Sequence, residues 1–75
     1  MRTANIILRS ISDVKEFVNI ISKCEFDVDL VSGRYIVDAK SIMGIFSLDL
    51  SKPIVANVYS DDCQVLFDEI NKFSE

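Results

Sequence analysis

Apolar positions recur along this chain in two periods, and the switches between them mark its elements. Ala4, Ile6 and Leu8 alternate with Asn5, Ile7 and Arg9, so a half-buried first strand is expected over Ala4 to Leu8. Ile11, Val14, Phe17, Val18, Ile21 and Cys24 then return every three or four residues, with Asp13, Lys15, Glu16, Asn19 and Lys23 between them. This spacing predicts an amphipathic helix capped by Ser10 or Ser12. Acids in its first turn suit the positive end of the helix dipole.

The shorter period returns at Phe26, Val28 and Leu30, which alternate with Asp27 and Asp29, and it resumes at Tyr35 and Val37. Between them lies Ser32-Gly33, whose glycine permits the positive φ of a tight hairpin, so strands two and three are expected to be antiparallel neighbours. The apolar run from Ala39 to Leu48 carries Ser41, a helix-capping residue, and predicts a short helix from Ile42. A fourth strand is expected where Ile54, Ala56 and Val58 alternate with Val55, Asn57 and Tyr59, after Pro53, which a strand start tolerates. Asp61 with Gln64 resembles a capping box, and Leu66, Phe67, Ile70 and Phe73 supply the stripe of a last helix.

Strand, helix, strand, strand, short helix, strand, helix is an α+β order. Helices with single apolar faces are best satisfied by one four-stranded antiparallel sheet covered on one side only. Asn5, Ile7, Arg9, Asp27, Asp29, Val31, Arg34, Ile36, Asp38, Val55, Asn57 and Tyr59 are expected on the uncovered side. With 75 residues and no repeat or linker, residues 1–75 form a single domain.

Composition narrows the chemistry. Eight basic against twelve acidic side chains give a net charge of −4, which opposes phosphate backbones and anionic lipid, so neither nucleic acid nor a membrane is expected as a partner. The apolar stretch within Met1 to Ser10 is too short for a signal h-region and no segment approaches the length needed to span a bilayer, so a cytoplasmic protein is expected. Cys24, closing the first helix, and Cys63, opening the last, are too few for a disulfide framework and read as reduced, partly buried thiols. Asp27, Asp29 and Asp38 read as a solvated face rather than a metal site, since no histidine or cysteine joins them. No phosphate loop or nucleophile elbow occurs, and neither enzymatic activity nor a cofactor is expected.

Lys40-Ser41-Ile42-Met43-Gly44, followed by Ser47-Leu48, resembles the regulatory serine segment of the HPr phosphocarrier family of the bacterial sugar phosphotransferase system, including its catabolite-repression paralogues. Ser32-Gly33-Arg34 is similar to that family's hairpin, and the element order is the same. The resemblance covers nearly the whole chain and implies an HPr-like open-faced sandwich. In that family a histidine at the start of the first helix, followed by an arginine and a proline, carries the phosphoryl group. Aligned on Ser41 without gaps, Ser10 stands at the histidine position, Ser12 at the arginine and Asp13 at the proline. The chain has no histidine anywhere. A serine phosphate ester is a stable product, and Asp13 puts a carboxylate where a helix N-terminus would receive phosphate. The resemblance therefore implies a domain with no catalytic residue and no phosphocarrier activity.

What it implies instead is regulation through protein binding. Ser41 matches the serine that a dedicated kinase phosphorylates in Gram-positive members, while Lys40, Ile42, Met43 and Phe46 fall on the surface that the family uses for partners. The expected partner is an HPr-type kinase or a transcription regulator, met by a surface that lacks the family's positive charge at Ser12. The alternative is an assembly module that forms a homodimer through the uncovered sheet face, where Ile7, Ile36, Val55 and Tyr59 are grouped.

Overall fold

A computed structural model describes residues 1–61 and 64–74. Its elements are β1 (Arg2–Ile6), α1 (Ile11–Ser22), β2 (Val28–Ser32), β3 (Tyr35–Asp38), α2 (Ile42–Phe46), β4 (Ile54–Val58) and α3 (Gln64–Ile70), the last running into a 3-10 turn at Asn71–Phe73. The strands form one antiparallel sheet in the order β1-β4-β2-β3. This is the expected α+β architecture.

Register sorts the side chains. Ala4, Ala56, Leu30 and Val37 stand in one row across the sheet, and Arg2, Val58 and Val28 in the next row on the same side. Directly opposed residues of antiparallel strands share a face, so these two rows look toward the helices. Thr3, Asn57, Asp29 and Asp38 make a row on the other face, as do Asn5, Val55, Val31 and Ile36. The core lies between sheet and helices: Val28, Leu30, Ile54, Ala56 and Val58 from the strands meet Val14, Phe17, Ile20 and Ile21 of α1, Ile45 of α2, and Leu66 and Ile70 of α3. Phe17 meets Phe73 edge to face, with ring centroids 5.9 Å apart. Burial of a side chain of this size contributes about 2–3 kcal/mol.

Expectation and structure part at the element ends. The first strand stops at Ile6, two residues short of the predicted end. Leu8 lies beyond it yet is buried, and the Ile7 N–H donates to the Phe73 carbonyl at 2.7 Å, so the chain leaves the sheet to pair with the C-terminal segment. Arg9 is consequently not on the sheet face; it immediately precedes the α1 cap. Ile11, assigned to the apolar stripe, is exposed at the first position of α1, one turn before the buried Val14. Tyr35 continues the core alternation but is 71% exposed at the tip of the hairpin, beyond the helices.

Ser10, not Ser12, caps α1. The start of α3, where Asp61 and Gln64 are expected to form a reciprocal cap, adjoins residues outside those described. Asp61 accepts from the amino terminus, while Gln64 accepts from Arg2 and donates to Asp68. The expected role of Cys63 lies outside the described residues. Among the described residues no helix is long and apolar enough to cross a membrane.

Candidate partner-binding site

α2 exists because of its first residue. Ser41 has extended backbone, and its Oγ accepts from the Gly44 N–H at 3.1 Å, satisfying one of the amides that a helix start leaves free. The same contact favours Gly44. A Cβ there would lie 3.2 Å from Ser41 Oγ and 3.3 Å from Val37 Cβ, so the helix sits against β3 more closely than most side chains allow. Ser47 ends the helix, its Oγ donating to the Gly44 carbonyl at 2.5 Å. With only five residues, α2 buries Ile45 alone.

The remaining apolar side chains of α2 are divided. Ile42 is half-buried and packs against the core, so it supports the helix. Met43 is 77% exposed and Phe46 41% exposed. Lys40, expected to face a partner, is tied inward: its Nζ donates to the Cys24 carbonyl at 3.1 Å, and its backbone N–H donates to Asp38 Oδ1 at 2.9 Å. The loop entering α2 is thereby fastened to the chain leaving α1.

The start of α1 lies across a groove from α2. Leu8, Arg9, Ser10, Ile11, Phe46, Leu50 and Ser51 line this open groove of about 390 Å³. It joins two features that the sequence presents as separate, the Ser10 position and the α2 surface. Exposed Ile11 extends the apolar surface of Phe46 across the groove, which the helical spacing did not reveal because it assigned Ile11 to the core.

At the α1 start two backbone amides are engaged by side chains of the same segment. Ser10 Oγ accepts from the Asp13 N–H at 3.1 Å, and Asp13 Oδ2 accepts from the Arg9 N–H at 2.9 Å. The carboxylate lies in the first turn, where its negative charge opposes a second anion at the positive end of the helix. Ser10 is exposed, and its hydroxyl oxygen serves the helix.

On the uncovered sheet face, Asp27, Asp29, Asp38 and Tyr59 surround a second, open depression of about 450 Å³. The Tyr59 hydroxyl donates to the Asp29 carboxylate, and this bond, with the nearby negative charge of Asp29 and Asp27, raises the Tyr59 pKa above that of a free phenol. Among the described residues no group of acid or thiol side chains is placed to hold a metal ion. Val31 and Val55 are half-buried on this face, and Ile36 is 67% exposed at its β3 margin.

No family model matches the sequence, and no curated protein does. Among solved structures, the chain is similar to a crystal structure of HPr-C-His from Thermoanaerobacter tengcongensis. The TM-score is 0.80 over 96% of this chain and 89% of that one, at 24% identity. This chain has the HPr fold. Within the HPr fold, α1 and α2 rise on the same side of the sheet, and the groove between the start of α1 and the end of α2 is bordered by Ser10, Ile11 and Phe46, with Ser41 at the opposite end of α2.

Proposed function

We propose that the chain is a regulatory protein-binding domain on the HPr scaffold, without phosphocarrier chemistry. The observation that carries this reading is the exposure of Ile11 and Phe46 across one groove, with Met43 exposed one turn earlier on α2, beside a helix start that already holds the Asp13 carboxylate. Exposed apolar side chains grouped around a groove favour a protein partner. A chain without an imidazole forms no phosphohistidine, and the Asp13 carboxylate beside the helix start disfavours a phosphate there.

Ser41 is the proposed switch. Its exposed hydroxyl stands beside Met43 at the edge of the surface, so a phosphate there would alter docking directly. Phosphate oxygens retain the capacity to accept from the Gly44 N–H, so the change would fall on recognition more than on fold. The partner class that follows is an HPr-type kinase together with a protein that distinguishes the two states of Ser41.

Incubation with an HPr-type kinase and ATP, followed by intact mass, tests the reading. A gain of one phosphate that is lost in Ser41→Ala, and reduced in Met43→Ser and Phe46→Ser with Ser41 intact, supports it. An unchanged mass removes the switch, and full phosphorylation of both surface variants removes the role of the patch in kinase docking.

A further inference from the structure

The two margins of the sheet differ. Beside β1, the Ile7 N–H donates to the Phe73 carbonyl and Ile6 forms a bridge with Ser74, so the C-terminal segment covers part of that edge. β3 is the other edge strand, and no described strand pairs with its outer side. An unpaired strand edge presents backbone groups that can template another strand.

Which groups β3 presents follows from the ladder. The Ala39 N–H donates to the Val28 carbonyl at 2.9 Å, and the β2–β3 register pairs Leu30 with Val37 and Ser32 with Tyr35. Hydrogen-bonded and non-hydrogen-bonded pairs alternate along an antiparallel ladder. Val37 and Tyr35 therefore bond inward to β2, and the N–H and C=O of Ile36 point outward. Farther along, the Asp38 carbonyl accepts from the Ser41 N–H at 3.0 Å, so the chain folds back there and the open edge is centred on Ile36. Gly33 has a φ of 60° and no described non-glycine residue has positive φ, so Gly33-Arg34 forms a tight two-residue turn that leaves Arg34 at the opposite end of the strand.

From this geometry we infer that β3 pairs antiparallel with β3 of a second copy of this chain, about a two-fold axis at Ile36, joining two four-stranded sheets into one of eight strands. The two Ile36 residues exchange N–H to carbonyl bonds, and their exposed side chains meet on the uncovered face. The same axis sets Arg34 of each copy beside Asp38 of the other. Both are exposed, and no ion pair among the described residues engages either. A short edge strand with charged ends is normally a safeguard against pairing. Here the ends carry opposite signs, so an antiparallel copy is matched in charge, whereas a parallel copy in register would set like charges together. The surface is on another edge of the molecule from the α1–α2 groove, and the inference is independent of the proposed regulatory role.

Sedimentation velocity up to millimolar concentration, with circular dichroism to verify folding, provides the test. Wild type is expected to self-associate reversibly, and the Ile36 amide to gain protection from hydrogen exchange as concentration rises. Arg34→Asp and Asp38→Lys each place like charges at both contacts and should weaken association by about tenfold or more. Mixed in equal amounts, they should recover it as a heterodimer. Wild type that remains monomeric at every concentration overturns the inference. Association that both variants retain, or that leaves the Ile36 amide unprotected, also overturns it by placing the contact elsewhere, for instance between stacked sheet faces.

Discussion

Asp13 and Ser10 close the start of α1 on itself: the Ser10 hydroxyl accepts from the Asp13 amide at 3.1 Å, and the Asp13 carboxylate accepts from the Arg9 amide at 2.9 Å. Two donors that could have met an incoming anion are engaged within the chain. The arrangement stabilises the helix and places a negative charge beside its positive end.

An imidazole alone is therefore expected to be insufficient for phosphoryl transfer. Ser10→His, incubated with phosphoenolpyruvate and the general phosphotransferase enzyme, is expected to acquire no acid-labile phosphate, because the carboxylate of Asp13 still fills the helix start. The combined change Ser10→His, Ser12→Arg and Asp13→Pro removes that charge and is expected to acquire some. Transfer to the single variant would show that Asp13 is no barrier.

Ser41 gives a stability prediction separate from any partner. Ser41→Ala loses the bond to the Gly44 amide and should cost about 1 kcal/mol, which for a domain of this size lowers Tm by about 4–8 °C. Ser41→Asp keeps a capping oxygen and should melt near wild type. Thermal unfolding by circular dichroism compares the three.

Exposed and buried apolar residues should separate cleanly. Met43→Ser and Ile11→Ser act on exposed side chains and are expected to change stability by about 0.5 kcal/mol or less. Phe17→Ala removes a fully buried ring and its contact with Phe73, and should cost about 3–5 kcal/mol. Urea unfolding midpoints measure the contrast; a large loss at Met43 would mean that it supports the fold.

Tyr59 gives a pH dependence with a defined sign. Its hydrogen bond to Asp29 raises the folded-state pKa, so the neutral phenol is the favoured form. The resulting stabilisation is complete below the unfolded phenol pKa and is lost as pH rises through the folded one. Tyrosinate absorbance, taken as the difference between wild type and Tyr59→Phe, should titrate above a free phenol, and Asp29→Asn should lower that midpoint.

The central strands were legible because each buries one face: alternation at Val28 and Leu30, and at Ile54, Ala56 and Val58, coincides with the observed burial. The same alternation overran β1, since Leu8 is buried by packing outside the sheet and leaves the same trace in sequence as a strand residue. Ile11 misled for a related reason: three- and four-residue spacing identifies a helical face but not how far the core extends beneath it. In the site, Ser41 and Phe46 could be found from their place on a short capped helix. Lys40 could not be assigned, because its carbonyl partner is sixteen residues away, a separation with no local signature.

The bond from Lys40 to Cys24 has a kinetic consequence. It anchors the segment leading into α2, so the partner proposed above would meet a preformed surface and need not wait for a loop to rearrange. Association should then be governed by encounter and orientation, with rate constants of about 10⁵–10⁷ M⁻¹s⁻¹, and differences in affinity among surface variants should be expressed mainly in residence time.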